Sequence, residues 1–212
     1  MMGFFALLVH DPVLFAVLVA LLLYSIIAHE VAHGWVASLF GDDTARLSGR
    51  LTLNPVPHFD PVGMLMLFIV GFGWARPVPV NYERLKSTRA GLFSVSLAGC
   101  AANILIATAG VFLLQLEAVR GQPLAVAALS ILVRINVTLG ALNLIPIPPL
   151  DGSKILMSFL PQRVWPQFAK WEPWGLFLLL MLLFTGLLNP MIRVMQNLIA
   201  AFIVSLLGGG RG

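Results

Sequence analysis

His29-Glu30-Val31-Ala32-His33 brings two imidazoles and a carboxylate within little more than one helical turn. Positions four apart on a helix differ by about 40° around the axis, so His29 and His33 share a face roughly 6 Å apart. Two imidazoles at that spacing can bind one Zn²⁺, and Glu30 between them can act as a general base toward water. The run from Pro12 to Phe40 carries no charge except at this pentapeptide. Burying such groups in lipid is costly unless something pairs with them, and a metal ion would. The competing reading of these five residues alone is a polar patch at a helix–helix contact, each histidine satisfied by a neighbouring carbonyl.

Two histidines do not complete a catalytic zinc site, which usually has three protein ligands. Cys100 is the only cysteine, so the pool is the two other histidines and the five aspartates. His10 starts the first apolar stretch, about 30 Å along the axis from His29, and cannot reach it. Asp42 and Asp43 follow Gly41 where the helix should end and read as turn or cap residues. Asp151 differs. It closes Asn143-Leu-Ile-Pro-Ile-Pro-Pro-Leu-Asp151-Gly152, where three prolines stop a membrane helix and hold the backbone extended. Irregular backbone at membrane depth is tolerated mainly where it lines a cavity in the protein. Asp151 is therefore the expected third ligand.

The elements that must carry these residues are membrane spans. With 59% hydrophobic residues, 10% charged residues and a mean hydropathy of +0.94, the chain is not an ordinary soluble domain. A spanning helix needs about 20 mostly apolar residues. The sequence predicts spans over Pro12 to Phe40, Gly91 to Leu116, Leu124 to Ile147 and Trp174 to Leu188. Pro61 to Trp74 is short for a span, and Met191 to Leu207 carries Arg193, Gln196 and Asn197, so it either lies in the interface or completes another span. The expected fold is all-α and polytopic, with about four to six transmembrane helices and a re-entrant or extended segment between the first two full core spans. The first segment is too long for a signal peptide, and Met1 to His10 lacks a positive start.

Topology constrains the chemistry. His29 and His33 lie toward the end of the first helix and Asp151 just past the end of the Leu124 to Ile147 helix, so an even number of crossings must separate them. Two helices supply that number only if Pro61 to Trp74 dips in and returns or packs as an incomplete span, which its length and its Gly63, Gly71, Gly73 and Pro77 permit. In that arrangement nine Lys and Arg residues, from Arg46 through Lys86 to Lys170, share the active-site side, against Arg120 alone on the other. By the positive-inside rule the metal then lies nearer the cytosol, in a membrane expected to be a prokaryotic cell membrane. The same distribution accounts for a pI near 9.8 as membrane orientation rather than a nucleic-acid surface. One membrane-embedded domain is expected over 1–207, with its core in 12–156, and the glycine-rich 208–212 as a disordered tail. Nothing in the sequence sets an oligomeric state.

Taken together these stretches resemble the site-2 protease family, the intramembrane zinc metalloproteases. The resemblance runs from about Ile26 to Leu156. It rests on His29-Glu30-Val31-Ala32-His33, on Asn143 before Asp151-Gly152, and on Arg50-Leu51-Thr52-Leu53-Asn54-Pro55. His58-Phe59-Asp60-Pro61-Val62-Gly63 and Gly73-Trp74-Ala75-Arg76-Pro77-Val78-Pro79-Val80-Asn81 add to it, and these last three resemble the compact subgroup without a PDZ domain. The resemblance implies that His29, His33 and Asp151 bind one zinc ion, that Glu30 activates water, and that Asn143 helps hold the substrate backbone or the developing oxyanion. Family members often have Gly-Pro before the small residues that precede an asparagine. Here the run is Gly99-Cys100-Ala101-Ala102-Asn103, so Asn103 is a weaker match as a substrate or oxyanion residue.

His58 and Asp60 can gate the site, support its ligands or supply a transient ligand; equally, His58-Phe59-Asp60-Pro61 can be a loop ending at the membrane interface. Val78 and Val80 favour extended backbone and Pro77 and Pro79 resist helix, so 73–81 either pairs with an unwound substrate as an added strand or forms a rigid loop. The expected reaction is hydrolysis of peptide bonds in or near transmembrane segments of membrane proteins. The rival functions are a membrane zinc-handling or transport protein and a non-catalytic binder of transmembrane helices. Transporters usually carry several ligand clusters along a path, often with inverted repeats, and this chain has one cluster and no repeat.

Overall fold

The computed structural model describes residues 8–70, 73–85 and 88–208. Gly71 and Lys86, used above to argue topology, lie outside them, as do 1–7 and 209–212. The architecture is all-α, with no strand among the described residues. Helix α1 spans Pro12–Leu39, opened by Asp11, whose carboxylate accepts the Leu14 N–H at 2.9 Å, and by Pro12 in the first turn. A single turn, α2 (Thr44–Leu47), follows. Then come α3 (Pro61–Val70), α4 (Thr88–Leu114), the single turn α5 (Glu117–Arg120), α6 (Pro123–Asn143), α7 (Asp151–Phe159), α8 (Trp165–Phe184) and α9 (Asn189–Gly208).

Among the described residues, four helices are long and apolar enough to cross a membrane: Pro12–Leu39, Arg89–Leu114, Pro123–Asn143 and Asn189–Gly208. The last resolves the ambiguity of the C-terminal apolar stretch in favour of a full-length helix. Gln196 explains how its polar residues are accommodated, because its amide donates to the Thr138 hydroxyl of α6 at 2.9 Å instead of facing lipid. The stretch expected as a span from Trp174 to Leu188 is a shorter apolar helix, Trp174–Phe184, at the end of α8. Helix α9 runs to Gly208, the last described residue.

Helix α3 has ten residues, about 15 Å of rise against a hydrocarbon core of about 30 Å, so it cannot cross. Its start is held by Asp60, which accepts the N–H groups of Val62 and Gly63. Two crossings, α4 and α6, therefore separate the ends of α1 and α6, and those ends meet. Helix α4 is the hub: it packs against α1, α6, α7 and α9. Ala107 of α4, Ala141 of α6 and Ile199 and Ile203 of α9 form one buried cluster, and Leu142, Ile145, Leu150, Leu179 and Leu188 another. This second cluster anchors the irregular stretch between α6 and α7. Gly152 lets α7 begin against that stretch, since a β-carbon there would come within 2.4 Å of the Leu144 carbonyl oxygen. Asp151, the first residue of α7, is thus delivered to a fixed place.

Candidate metal centre and its cleft

His29 and His33 project from the same face of α1, with ring centroids 4.7 Å apart. Their Nε2 atoms are 3.1 Å from each other, and Asp151 Oδ2 lies 3.0 Å from the first and 3.2 Å from the second. Atoms bound tetrahedrally at about 2.0–2.1 Å from one zinc ion stand about 3.3 Å apart, so the three sides of this triangle have the dimensions of one tetrahedral face. The donor set passes a second test. The Nδ1 of His33 lies 2.6 Å from the carbonyl oxygen of Val95 on α4. A carbonyl can only accept, so His33 carries its proton on Nδ1 and turns an Nε2 lone pair inward. His29 Nδ1 meets Asn103 Oδ1 at 2.7 Å. Asp151 Oδ2 is buried and has no hydrogen-bond donor. Lone pairs packed this closely repel one another, and a cation is what reconciles them.

The floor of the centre is Gly99 of α4. A β-carbon at Gly99 would lie 2.5 Å from Nε2 and Cε1 of His29 and from Nε2 of His33. In the sequence Gly99 stands out only as the first of the small residues before Asn103; that it lies beneath the imidazoles depends on how α1 and α4 register.

Glu30 is half-buried on the cleft wall, and its Oε2 accepts the backbone N–H of Val78 at 2.9 Å. The stretch 73–81 is neither helix nor strand and lines the same cleft, which has a volume of about 430 Å³ and also takes in Asn143, Asp151 and Lys154. Two side chains hold this stretch. The guanidinium of Arg50 donates from Nη2 to the carbonyls of Arg76 at 2.6 Å and Pro77 at 3.2 Å. Burial and the Arg76 charge pull the Arg50 pKa down, while the Glu30 carboxylate pulls it back up. At the far end Asp42 accepts the Asn81 N–H at 2.6 Å and both the backbone and hydroxyl donors of Thr44. Burial works against the charged carboxylate, yet the Thr44 hydroxyl, the Asn81 and Thr44 N–H groups and the Arg84 charge together hold its pKa below the usual value.

Of the remaining candidates, one lines the cleft and the others do not. Asn143 lines the cleft and donates to the Leu139 carbonyl of its own helix at 3.1 Å. Asn103 is fully buried and does not line the cleft; its Oδ1 lies against Nδ1 of His29. His58 is also fully buried; its Nε2 meets the Thr52 carbonyl at 2.9 Å and its own carbonyl accepts the Arg76 N–H. It belongs to the framework of the loops and lines a separate small cavity with Trp74 and Met64. Asn54 bridges its turn by accepting the Val56 N–H, and Arg134 is exposed on α6.

Comparison with known proteins agrees with this chemistry. A family profile described as Peptidase family M50 matches residues 121–185. The chain is 40% identical to "Putative zinc metalloprotease YwhC" of Bacillus subtilis over 85% of this chain and 85% of that protein. It is 34% identical to "Putative zinc metalloprotease Rip2" of Mycolicibacterium smegmatis, over 82% of this chain and 69% of that one. The Mycobacterium tuberculosis protein of the same name is 32% identical over the same shares. No solved structure matches the chain.

Proposed function

The chain belongs to peptidase family M50 and is an intramembrane zinc metalloprotease acting on membrane proteins, and on that premise we propose that His29, His33 and Asp151 hold one zinc ion while Glu30 is the general base. The single observation that carries the assignment is the convergence of two Nε2 atoms and one orphaned carboxylate oxygen within 3.2 Å of one another, from segments about 120 residues apart. The peptidase core is taken as 12–156, since every one of these residues falls within it.

Zinc supplies Lewis acidity toward water and the scissile carbonyl. The residues of the chain do the rest. Glu30, with Oε2 held by Val78, takes a proton from water through its other oxygen and returns it to the leaving amine. Asn143 offers an amide on the cleft wall to the substrate backbone. A helical substrate hides its carbonyls in hydrogen bonds, so single-span membrane proteins that unwind locally are the expected substrates. The bias of basic residues toward the loops around the site supports a cell-membrane enzyme that cuts near the cytosolic face.

Glu30→Gln tests the division of roles. A glutamine still accepts the Val78 N–H but cannot take a proton, so the purified variant should keep its zinc content and lose cleavage of a model transmembrane substrate. Retained cleavage would remove Glu30 from the chemistry, and lost zinc would place it among the ligands instead.

A further inference from the structure

The two histidines are oriented in different ways. His33 faces a backbone carbonyl, which leaves no choice of tautomer. His29 faces an asparagine side chain, whose amide can offer either its oxygen or its nitrogen. Only the oxygen forces the proton onto Nδ1 and leaves Nε2 free for a metal, so something must fix which way Asn103 points.

Behind Asn103 a line of buried polar groups runs away from the cleft. Asn103 Nδ2 donates to Asn136 Oδ1 of α6 at 2.8 Å and, at a longer 3.4 Å, to the Ser25 carbonyl of α1, so the Asn136 bond is the shorter of the two that hold the amide. Asn136 Nδ2 donates in turn to the Ser25 hydroxyl of α1 at 2.9 Å and to the Leu132 carbonyl at 2.9 Å, and Ser25 donates to the Leu21 carbonyl at 2.7 Å. Asn103 and Asn136 are 0% exposed and Ser25 is 2% exposed, so water does not compete. Every donor in the line points the same way, and the line ends on carbonyls that can only accept. The Leu132 carbonyl requires the nitrogen of Asn136 on its side. That puts the Asn136 oxygen toward Asn103, which must then answer with its nitrogen and turn its own oxygen to His29.

We propose that Asn136 is a positioning residue for the metal site: by fixing the amide of Asn103 it sets the tautomer of His29. The inference rests on the assignment of His29 as a zinc ligand. Groups hydrogen-bonded to metal-ligating histidines typically change metal affinity about 10–100-fold when removed. Asn136 acts one residue further back, through an amide that can flip and reverse the histidine.

The test uses the full chain in detergent, with imidazole nitrogen shifts read by NMR on metal-free protein and zinc affinity read by chelator competition. The His29 signal is identified by its loss in His29→Gln. In the natural protein His29 should carry its proton on Nδ1. In Asn136→Leu part of the population should move the proton to Nε2, and zinc affinity should fall about 10–100-fold. The double variant Asn103→Asp with Asn136→Leu should recover affinity, because a carboxylate accepts from Nδ1 whichever way it is turned. Asn136→Ser is the second variant should the leucine impair folding. A His29 proton on Nε2 in the natural protein overturns the proposal. So does an Asn136 variant with unchanged tautomer and affinity, or a loss the carboxylate at 103 does not restore, which would mark a packing role only. Zinc that does not bind the natural protein at all would defeat the metal assignment, while the tautomer result would still read separately.

Discussion

Glu30 Oε2 and the backbone nitrogen of Val78 are 2.9 Å apart, joining the proposed base on α1 to an irregular stretch 48 residues downstream. One carboxylate oxygen is committed to the loop, and the other is left to work on water. Val78→Pro removes that N–H together with part of a buried side chain, in a stretch that already carries Pro77 and Pro79. Freeing the carboxylate to wander by about an ångström should lower kcat by about 10²-fold. Zinc content should be unchanged, since no ligand is touched. Steady-state cleavage in detergent beside metal analysis checks both; equal kcat would show that the loop does not orient the base. The contact also means that Val78 cannot report on strand pairing with substrate alone. Val80→Pro, one alternation further along, isolates that question.

Arg50 fixes the two peptide units just before Val78, bridging the Arg76 and Pro77 carbonyls from a site 8% exposed. Both bonds leave one terminal nitrogen, Nη2, and a lysine ammonium on its shorter stem does not reach that point between the two carbonyls. Arg50→Lys should therefore reproduce the kcat loss of Val78→Pro in kind, with zinc content again unchanged. Combining the two should cost little more than either alone, because both act through one contact. Additive losses in this double-mutant cycle would separate Arg50 from Glu30.

How much of this could be read beforehand follows from how each residue signals itself. His29, Glu30 and His33 are local, their geometry set by helical periodicity, so five letters suffice. Asp151 needed topology, and the prolines from Pro146 to Pro149 together with the parity of crossings supplied it. Asn136 and Ser25 were missed because they matter only once α1, α4 and α6 are packed in register, 33 and 111 residues apart along the chain. Val78 acts through its backbone, which leaves no mark on residue type. For His58 and Asn103 residue type alone gives no partner: in the fold one meets the Thr52 carbonyl and the other Nδ1 of His29.

Gly99 is the position where a single methyl group should cost the most. Its β-carbon would press within 2.5 Å of both metal-facing nitrogens, well inside van der Waals contact. Relief requires tilting α1 from α4 or rotating the imidazoles off their Val95 and Asn103 partners. Overpacking of this kind costs about 1–3 kcal/mol, which taken from the metal site is about a ten- to hundredfold loss of zinc affinity. Gly99→Ala should show that loss by chelator competition. Gly110→Ala, on the same helix but away from the centre, should bind zinc normally even where stability falls. Undiminished affinity in Gly99→Ala would mean the α1–α4 spacing is looser than 2.5 Å implies.

Asp42 ties the end of α1 to the end of the loop that holds Glu30, and its ionised form is the one that does so. Its pKa is depressed in the folded protein relative to the unfolded chain. The contribution to stability is therefore fully present above the unfolded value of about 3.9 and is lost as pH falls through the lower folded value. Asp42→Asn keeps the shape but turns an amide nitrogen against the Asn81 or Thr44 donors, at a cost of about 1–3 kcal/mol. The variant should unfold at lower temperature than the natural protein at neutral pH, and the gap should close as acid protonates Asp42 in the natural protein. Thermal unfolding in detergent from neutral pH down to the acid limit follows this difference. A gap that stays constant into acid would assign the loss to packing, not to charge.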